Sequence, residues 1–110
     1  MLEEPAYLKL ADETFRRILD LFQDVDSEKA DIDSAGDVVT ITFASGKRCV
    51  VNTQRPVRQM WLAGGTRAWH FGWDEATKTW RDDKGTGAEL FATLAQLARD
   101  LGGFELPATA

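Results

Sequence analysis

A chain of 110 residues has room for one compact domain with one core and no linker, so residues 1–110 are read as a single domain, and 44% hydrophobic content is that of a folding sequence. Thirteen bases against eighteen acids give a formal net charge of −5, and eleven of the acids but only four of the bases fall within the first 37 residues. That skew excludes nucleic acid, whose phosphates such a surface repels, and favours metal cations or a basic protein as partner.

No apolar run approaches the roughly 20 residues of a membrane span, and Met1-Leu2-Glu3-Glu4 lacks the basic-then-apolar pattern of a signal peptide. A cytoplasmic protein with no membrane partner is the expectation. The single cysteine, Cys49, excludes an internal disulfide and a thiolate zinc cluster within one chain. It sits in an apolar strand and is expected to be buried and inert.

Pro5 suits the first turn of a helix, where its missing N–H leaves no bond unmade. Leu8, Ala11, Phe15, Ile18, Leu19 and Phe22 recur at three- and four-residue steps and predict an amphipathic helix to about Asp24. Asp12–Arg16 and Glu13–Arg17 are favourable i,i+4 pairs on its polar side, whereas Asp20 and Asp24 repel at the same spacing. After an acidic loop, Ala30–Asp33 reads as a short strand with Ile32 pointing in and Asp31 and Asp33 out. Asp37–Phe43 is a strand with Val39, Ile41 and Phe43 on its core face. Ala44-Ser45-Gly46 reads as a three-residue hairpin loop with Gly46 left-handed, which pairs Ile41 with Cys49 and Val39 with Val51.

Gln59–Ala63 is the next strand. Arg67–Trp73 follows, with Trp69, Phe71 and Trp73 on one face and Ala68 and His70 on the other. Lys78–Asp82 is a last short strand carrying Trp80. Thr86-Gly87-Ala88-Glu89 reads as a capping box opening a second helix with Leu90, Phe91, Leu94, Leu97, Ala98 and Leu101 as its stripe, and Gly102 as its C-terminal glycine. The order helix, five or six strands, helix predicts an α+β fold. It is a two-layer sandwich, with two terminal helices packed on one face of a five- to six-stranded antiparallel sheet. The other face, with Thr40, Thr42, Asn52, Gln54, Gln59, Trp61 and His70, is then left open.

Within Asn52-Thr53-Gln54-Arg55-Pro56-Val57-Arg58-Gln59-Met60-Trp61-Leu62-Ala63, Met60 and Leu62 share one face and Gln59, Trp61 and Ala63 the other. Asn, Gln, Gln and Trp without charge solvate poorly and make a good contact surface. Alternation alone is equally consistent with a core Trp61 and amides that fill a turn. The pattern N-x-Q-x-P-x-x-Q-[hydrophobic]-W-L-A resembles the signature of the frataxin family. Val38-Val39-Thr40-Ile41-Thr42-Phe43 before it and Ala68-Trp69-His70-Phe71 after it agree. The His-Phe pair and the acidic N-terminus resemble the bacterial branch of that family, and the likeness covers nearly the whole chain. It implies the same sandwich fold, and it implies Asn52, Gln54, Gln59, Trp61 and His70 as a partner-binding surface.

Carboxylates are hard oxygen ligands suited to iron, Mn²⁺, Mg²⁺ or Ca²⁺. Glu13, Asp20, Asp24, Asp26, Asp31 and Asp33 are the candidate ligands. Asp20, Asp24, Asp31 and Asp33 lie along one edge if the first helix runs beside the first strand; the plain alternative is a solvated acidic face. With no EF-hand spacing and no paired histidine, any such site is open, shallow and weak. The resemblance implies weak binding of Fe²⁺ and Fe³⁺ at such a ridge. Where bacterial relatives tend to carry consecutive acids late in the helix, this chain has Leu21-Phe22-Gln23-Asp24, which lowers its capacity. His70, the single histidine, cannot make a strong metal site alone.

No nucleophile–base pair or phosphate loop is visible, since Gly64-Gly65 lacks the following helix and lysine. The resemblance implies a non-enzymatic accessory protein of iron–sulfur cluster assembly. It would dock on the cysteine desulfurase and scaffold protein as iron donor or rate modulator, monomeric without metal. The competing readings are a metal-independent interaction regulator and, more remotely, a weak ferroxidase.

Overall fold

The computed structural model describes residues 2–106. Helix α1 (Glu4–Gln23) is followed by six strands: β1 (Ala30–Ala35), β2 (Val38–Phe43), β3 (Arg48–Gln54), β4 (Gln59–Gly64), β5 (Arg67–Asp74) and β6 (Thr79–Asp82). Helix α2 (Leu90–Leu97) comes last and runs on into a wider π-helical turn, Ala98–Gly102. The strands form one antiparallel sheet in sequence order, β1 to β6, as short connections require. Both helices pack on the same face, so the expected sandwich forms with six strands. Among the described residues, no helix is long and apolar enough to cross a membrane.

The hairpin between β2 and β3 has the expected register, Ile41 opposite Cys49 and Val39 opposite Val51. Gly46 adopts φ +89° and its N–H donates to the Phe43 carbonyl at 2.8 Å. Alternation then carries Val39, Ile41, Phe43, Cys49, Val51, Met60, Leu62, Phe71 and Trp80 into the core under the helices, all nearly or fully buried. Cys49 is 0% exposed, and burial pushes its thiol up to about 12, so it stays protonated and unreactive at neutral pH.

The apolar stripe of α1 differs from the one read from its aliphatic residues. Its buried side chains are Tyr7, Ala11, Thr14, Ile18 and Phe22, while Leu8 is 40% exposed and Phe15 and Leu19 are half-buried. Two polar residues belong to the stripe because each finds a partner. The Tyr7 hydroxyl donates to the Gln59 carbonyl at 2.7 Å. Thr14 Oγ1 accepts the buried Trp80 indole N–H at 2.8 Å and donates to the Leu10 carbonyl. A buried indole N–H without such an acceptor would cost about 1–3 kcal/mol. Arg16 pairs with Asp12 at 3.1 Å as expected, but Arg17 lies over the Phe91 ring, 4.2 Å from its centroid, instead of pairing with Glu13.

Several boundaries move. β1 extends to Ala35, β2 starts at Val38, and β6 starts at Thr79 because Lys78 is left-handed (φ +56°) in the turn before it. The capping box does not form. Glu89 itself caps α2, its carboxylate accepting the N–H groups of Phe91 and Ala92 at 2.8 and 3.2 Å. Thr86 Oγ1 turns instead to Asp82, at 2.6 Å, and this bond holds the Asp82 carboxyl below the usual carboxylate range. The left-handed glycine that ends the second helix is Gly103 (φ +69°) rather than Gly102.

Gly102 serves close packing instead. A Cβ there would sit 2.7 Å from both Phe43 Cδ1 and Phe104 Cε1. Gly102→Ala should therefore destabilise the fold by about 1–3 kcal/mol in urea denaturation, the usual cost of overpacking. An unchanged midpoint would show that Phe104 does not pack on Phe43 across this glycine.

Candidate functional site

The face of the sheet opposite the helices carries short or polar side chains. Reading across the strands, the register places Val38, Asn52, Trp61 and His70 side by side. Gln54 stands opposite Gln59 in the neighbouring row. All five residues read as partner-binding (Asn52, Gln54, Gln59, Trp61 and His70) thus share one patch, and each is half-buried. Trp61 belongs to this face and not to the core, which holds Met60 and Leu62 at 0% and 1% exposure.

Four side chains in the patch form a closed ring. Trp61 and His70 stack with ring centroids 4.0 Å apart and planes 13° from parallel. The Trp61 indole N–H donates to Gln59 Oε1 at 2.8 Å, and Gln59 Nε2 donates to Asp83 Oδ2 at 3.2 Å. The same Asp83 oxygen lies 3.8 Å from His70 Nδ1. That distance is too long for a hydrogen bond, and the contact is an ion pair only when the imidazole is protonated. The Asp83 backbone N–H donates to the His70 carbonyl at 2.9 Å, which holds the carboxylate in place.

The chemistry of the ring fixes the orientation of the Gln59 amide. An indole N–H only donates and a carboxylate only accepts, so Gln59 must offer its oxygen to Trp61 and its nitrogen to Asp83. Asp83 is the member that sequence reading missed. The last strand was expected to close at Asp82, and the signal was one step away: continuing the β5–β6 register by one residue sets Asp83 opposite His70.

The candidate metal ligands divide. Asp31 and Asp33 project from edge strand β1 onto the open side, opposite Thr42 and Thr40, and are exposed. α1 packs beside β1, and Asp20 and Asp24 are exposed near its end. Asp26 accepts the Glu28 N–H at 2.9 Å in the intervening loop. Glu13 is set apart. It lines a cavity of about 290 Å³ with Arg17, Lys78 and Trp80, toward β6 at the opposite edge of the sheet. Among the described residues, no three His, Cys, Asp or Glu side chains come close enough to hold one metal ion. Cys49 and His70 lie on opposite faces of the sheet and cannot act as a pair.

A model of the frataxin-like domain matches residues 1–103. The chain belongs to the frataxin-like family. The iron-sulfur cluster assembly protein CyaY of Pseudomonas aeruginosa is 33% identical over 102 residues, covering 93% of each chain. That of Delftia acidovorans is 34% identical over 111 residues, covering 96% of each. A solved frataxin from Psychromonas ingrahamii superposes with a TM-score of 0.88 at 22% identity, over 99% of this chain and 100% of that one, so the fold is shared. In this frataxin-like chain the sheet gathers Asn52, Gln54, Gln59 and Trp61 of the central segment, with His70, into the patch, while Met60, Leu62 and Phe71 face the core.

The ring makes a sharp mutational forecast. Gln59→Glu sets a second carboxylate against Asp83 and should cost about 1 kcal/mol in urea denaturation. Adding Asp83→Asn restores a donor opposite the new acceptor and should recover most of that loss. Simple additivity in the double variant would show that the two side chains do not interact.

Proposed function

We propose that this protein is a cytoplasmic, non-enzymatic accessory factor of iron–sulfur cluster assembly that docks through its open sheet face on a cysteine desulfurase–scaffold complex. The observation that carries this reading is the convergence of Asn52, Gln54, Gln59, Trp61 and His70 on one uncovered patch. Its relatives in Pseudomonas aeruginosa and Delftia acidovorans bear the name of iron-sulfur cluster assembly proteins. An aromatic with a pre-set orientation and a Gln59 amide fixed by two hydrogen bonds give directional, short-range contact without large ordering costs. The acids of α1 and β1 act at longer range, drawing iron cations or a basic desulfurase surface.

Iron, Fe²⁺ or Fe³⁺, is cargo in this reading. Asp20 with Asp24, and Asp31 with Asp33, offer pairs of hard oxygen ligands at the α1–β1 edge, with Asp26 between them in sequence. Glu13 takes no part, because it faces the other edge. The scattered placement of these carboxylates also favours a second reading, in which the protein regulates the desulfurase by contact alone and iron binding is incidental.

Two variants separate the readings. Trp61→Ala should lose less than the roughly 3–5 kcal/mol of an emptied core tryptophan site, yet bind the desulfurase–scaffold complex more weakly by titration calorimetry. A collapse in stability, or unchanged binding, would contradict the docking role. Replacing Asp20, Asp24, Asp31 and Asp33 with Asn should raise the melting temperature of the metal-free protein, since like charges held together are removed. If these acids carry iron, the same change abolishes most of the stabilisation by Fe²⁺. If the stabilisation persists in full, the ridge is not the iron site.

A further inference from the structure

Three oxidisable aromatic side chains form a contiguous row from the core to the surface. Tyr7 and Trp80 meet edge to face, with ring centroids 6.2 Å apart and planes at 86°. Trp80 meets Trp73, its register partner across β5 and β6, at 5.2 Å and 68°. Tyr7 and Trp80 are buried, while Trp73 is half-buried at the outer end of the row. The cavity of about 290 Å³ beside Glu13 and Arg17 is walled by Trp73 as well as Trp80. Rings at these separations are in contact, and an electron passes readily between aromatic groups in contact.

What distinguishes the three is where a proton can go. Loss of an electron turns an indole N–H or a phenol O–H into a strong acid. The Tyr7 hydroxyl donates to the Gln59 carbonyl, which is no base. The Trp80 N–H donates to Thr14 Oγ1, whose own proton is committed to the Leu10 carbonyl, so a positive charge on Trp80 is buried without compensation. The Trp73 N–H donates to Glu75 Oε2 at 2.8 Å, and Glu75 is exposed. Hydrogen bonds from Lys78 and then Trp73 hold the Glu75 carboxyl below the usual carboxylate range, so it is ionised at neutral pH and free to accept. The other two indoles lack this arrangement. The Trp61 N–H meets an amide oxygen, and Arg67 lies 4.6 Å from the Trp69 ring centroid, where its positive charge opposes loss of an electron.

We propose that Tyr7, Trp80 and Trp73 form a relay that carries a one-electron oxidising equivalent out of the core, with Trp73 and Glu75 as its exit. Trp80, oxidised directly or by passing an electron to oxidised Tyr7, is a radical cation. It takes one electron from Trp73 and is restored. Trp73 gives its N–H proton to Glu75 Oε2 and remains as a neutral indolyl radical beside solvent. A reductant of the thiolate or ascorbate class returns one electron, and Glu75 returns the proton. The oxidant is of the carbonate-radical class and becomes carbonate on taking its electron. Fe²⁺ with peroxide and bicarbonate generates such a species, so the relay suits a protein with iron as cargo. Only the source of the oxidant rests on that reading.

The test is flash photolysis of a carbonato-tetraammine cobalt(III) complex, which releases carbonate radical without iron, followed by transient absorption and peptide mass spectrometry. The expected result is a neutral indolyl radical with oxidation products concentrated on Trp73, and with Tyr7 and Trp80 largely spared. Trp73→Phe should raise the products at Tyr7 and Trp80 several-fold. Glu75→Gln changes an exposed side chain, so it separates proton acceptance from loosened packing. It should slow the appearance of the neutral radical and raise the products at Trp80. Unchanged products at Tyr7 and Trp80 in Trp73→Phe overturn the relay. Radical kinetics untouched by Glu75→Gln overturn its exit. Products that simply follow exposure, with half-buried Trp61 modified as much as Trp73, overturn the proposal as well.

Discussion

The bond from the Tyr7 hydroxyl to the Gln59 carbonyl joins the two sides of this molecule. It fastens α1 to the start of β4 from within the core, where Tyr7 is 0% exposed. The side chain of the same Gln59 leaves on the opposite face and holds both Trp61 and Asp83. Helix packing on one face therefore fixes the strand from which the contact surface on the other face is organised. The Thr14–Trp80 bond does the same for β6, the strand that leads into Asp83. With α1 held at β4 and β6, the sheet has little freedom to slip in register, and a slip of one residue would bury the patch.

The open face combines two kinds of interaction with different reach. Exposed acids on β1 and at the end of α1 act over distances near the Debye length, about 8–10 Å at physiological salt, and lose force as salt rises. The Trp61–His70 stack acts only on contact. Between them stand Thr40, Val50, Ala63 and Ala68, side chains short enough to leave the face flat. Asp83 brings a formal charge into the ring. The hydrogen bond it accepts from Gln59 and its place beside His70 turn it toward the ring.

The sheet was legible in the sequence because strands with one buried face alternate strictly, and because a three-residue loop with Gly46 leaves a single register that matches core to core. Open-face placement of Trp61 needed the family signature, since alternation around Met60 and Leu62 leaves its face ambiguous until the helices are placed. Tyr7 and Thr14 were missed because each is buried through a hydrogen bond to a residue more than fifty positions away, which no local pattern reveals. The helix caps were misread for a related reason. Thr86 had a competing partner in Asp82, so a correctly spaced Thr–Glu pair did not form the reciprocal cap. The acidic ridge was only partly legible. Asp31 and Asp33 follow from strand alternation, but the side of α1 that Glu13 occupies depends on how the helix crosses the sheet.

The central claim is that the protein works through the open face of its sheet. Amide hydrogen exchange of the protein alone and bound to a purified cysteine desulfurase–scaffold complex tests it most directly. Open-face docking predicts slowed exchange across the middle of β3, β4 and β5, around Asn52, Trp61 and His70, with the outer surface of α2 unchanged. Protection confined to the helices, with those three strands exchanging as in the free protein, would contradict it.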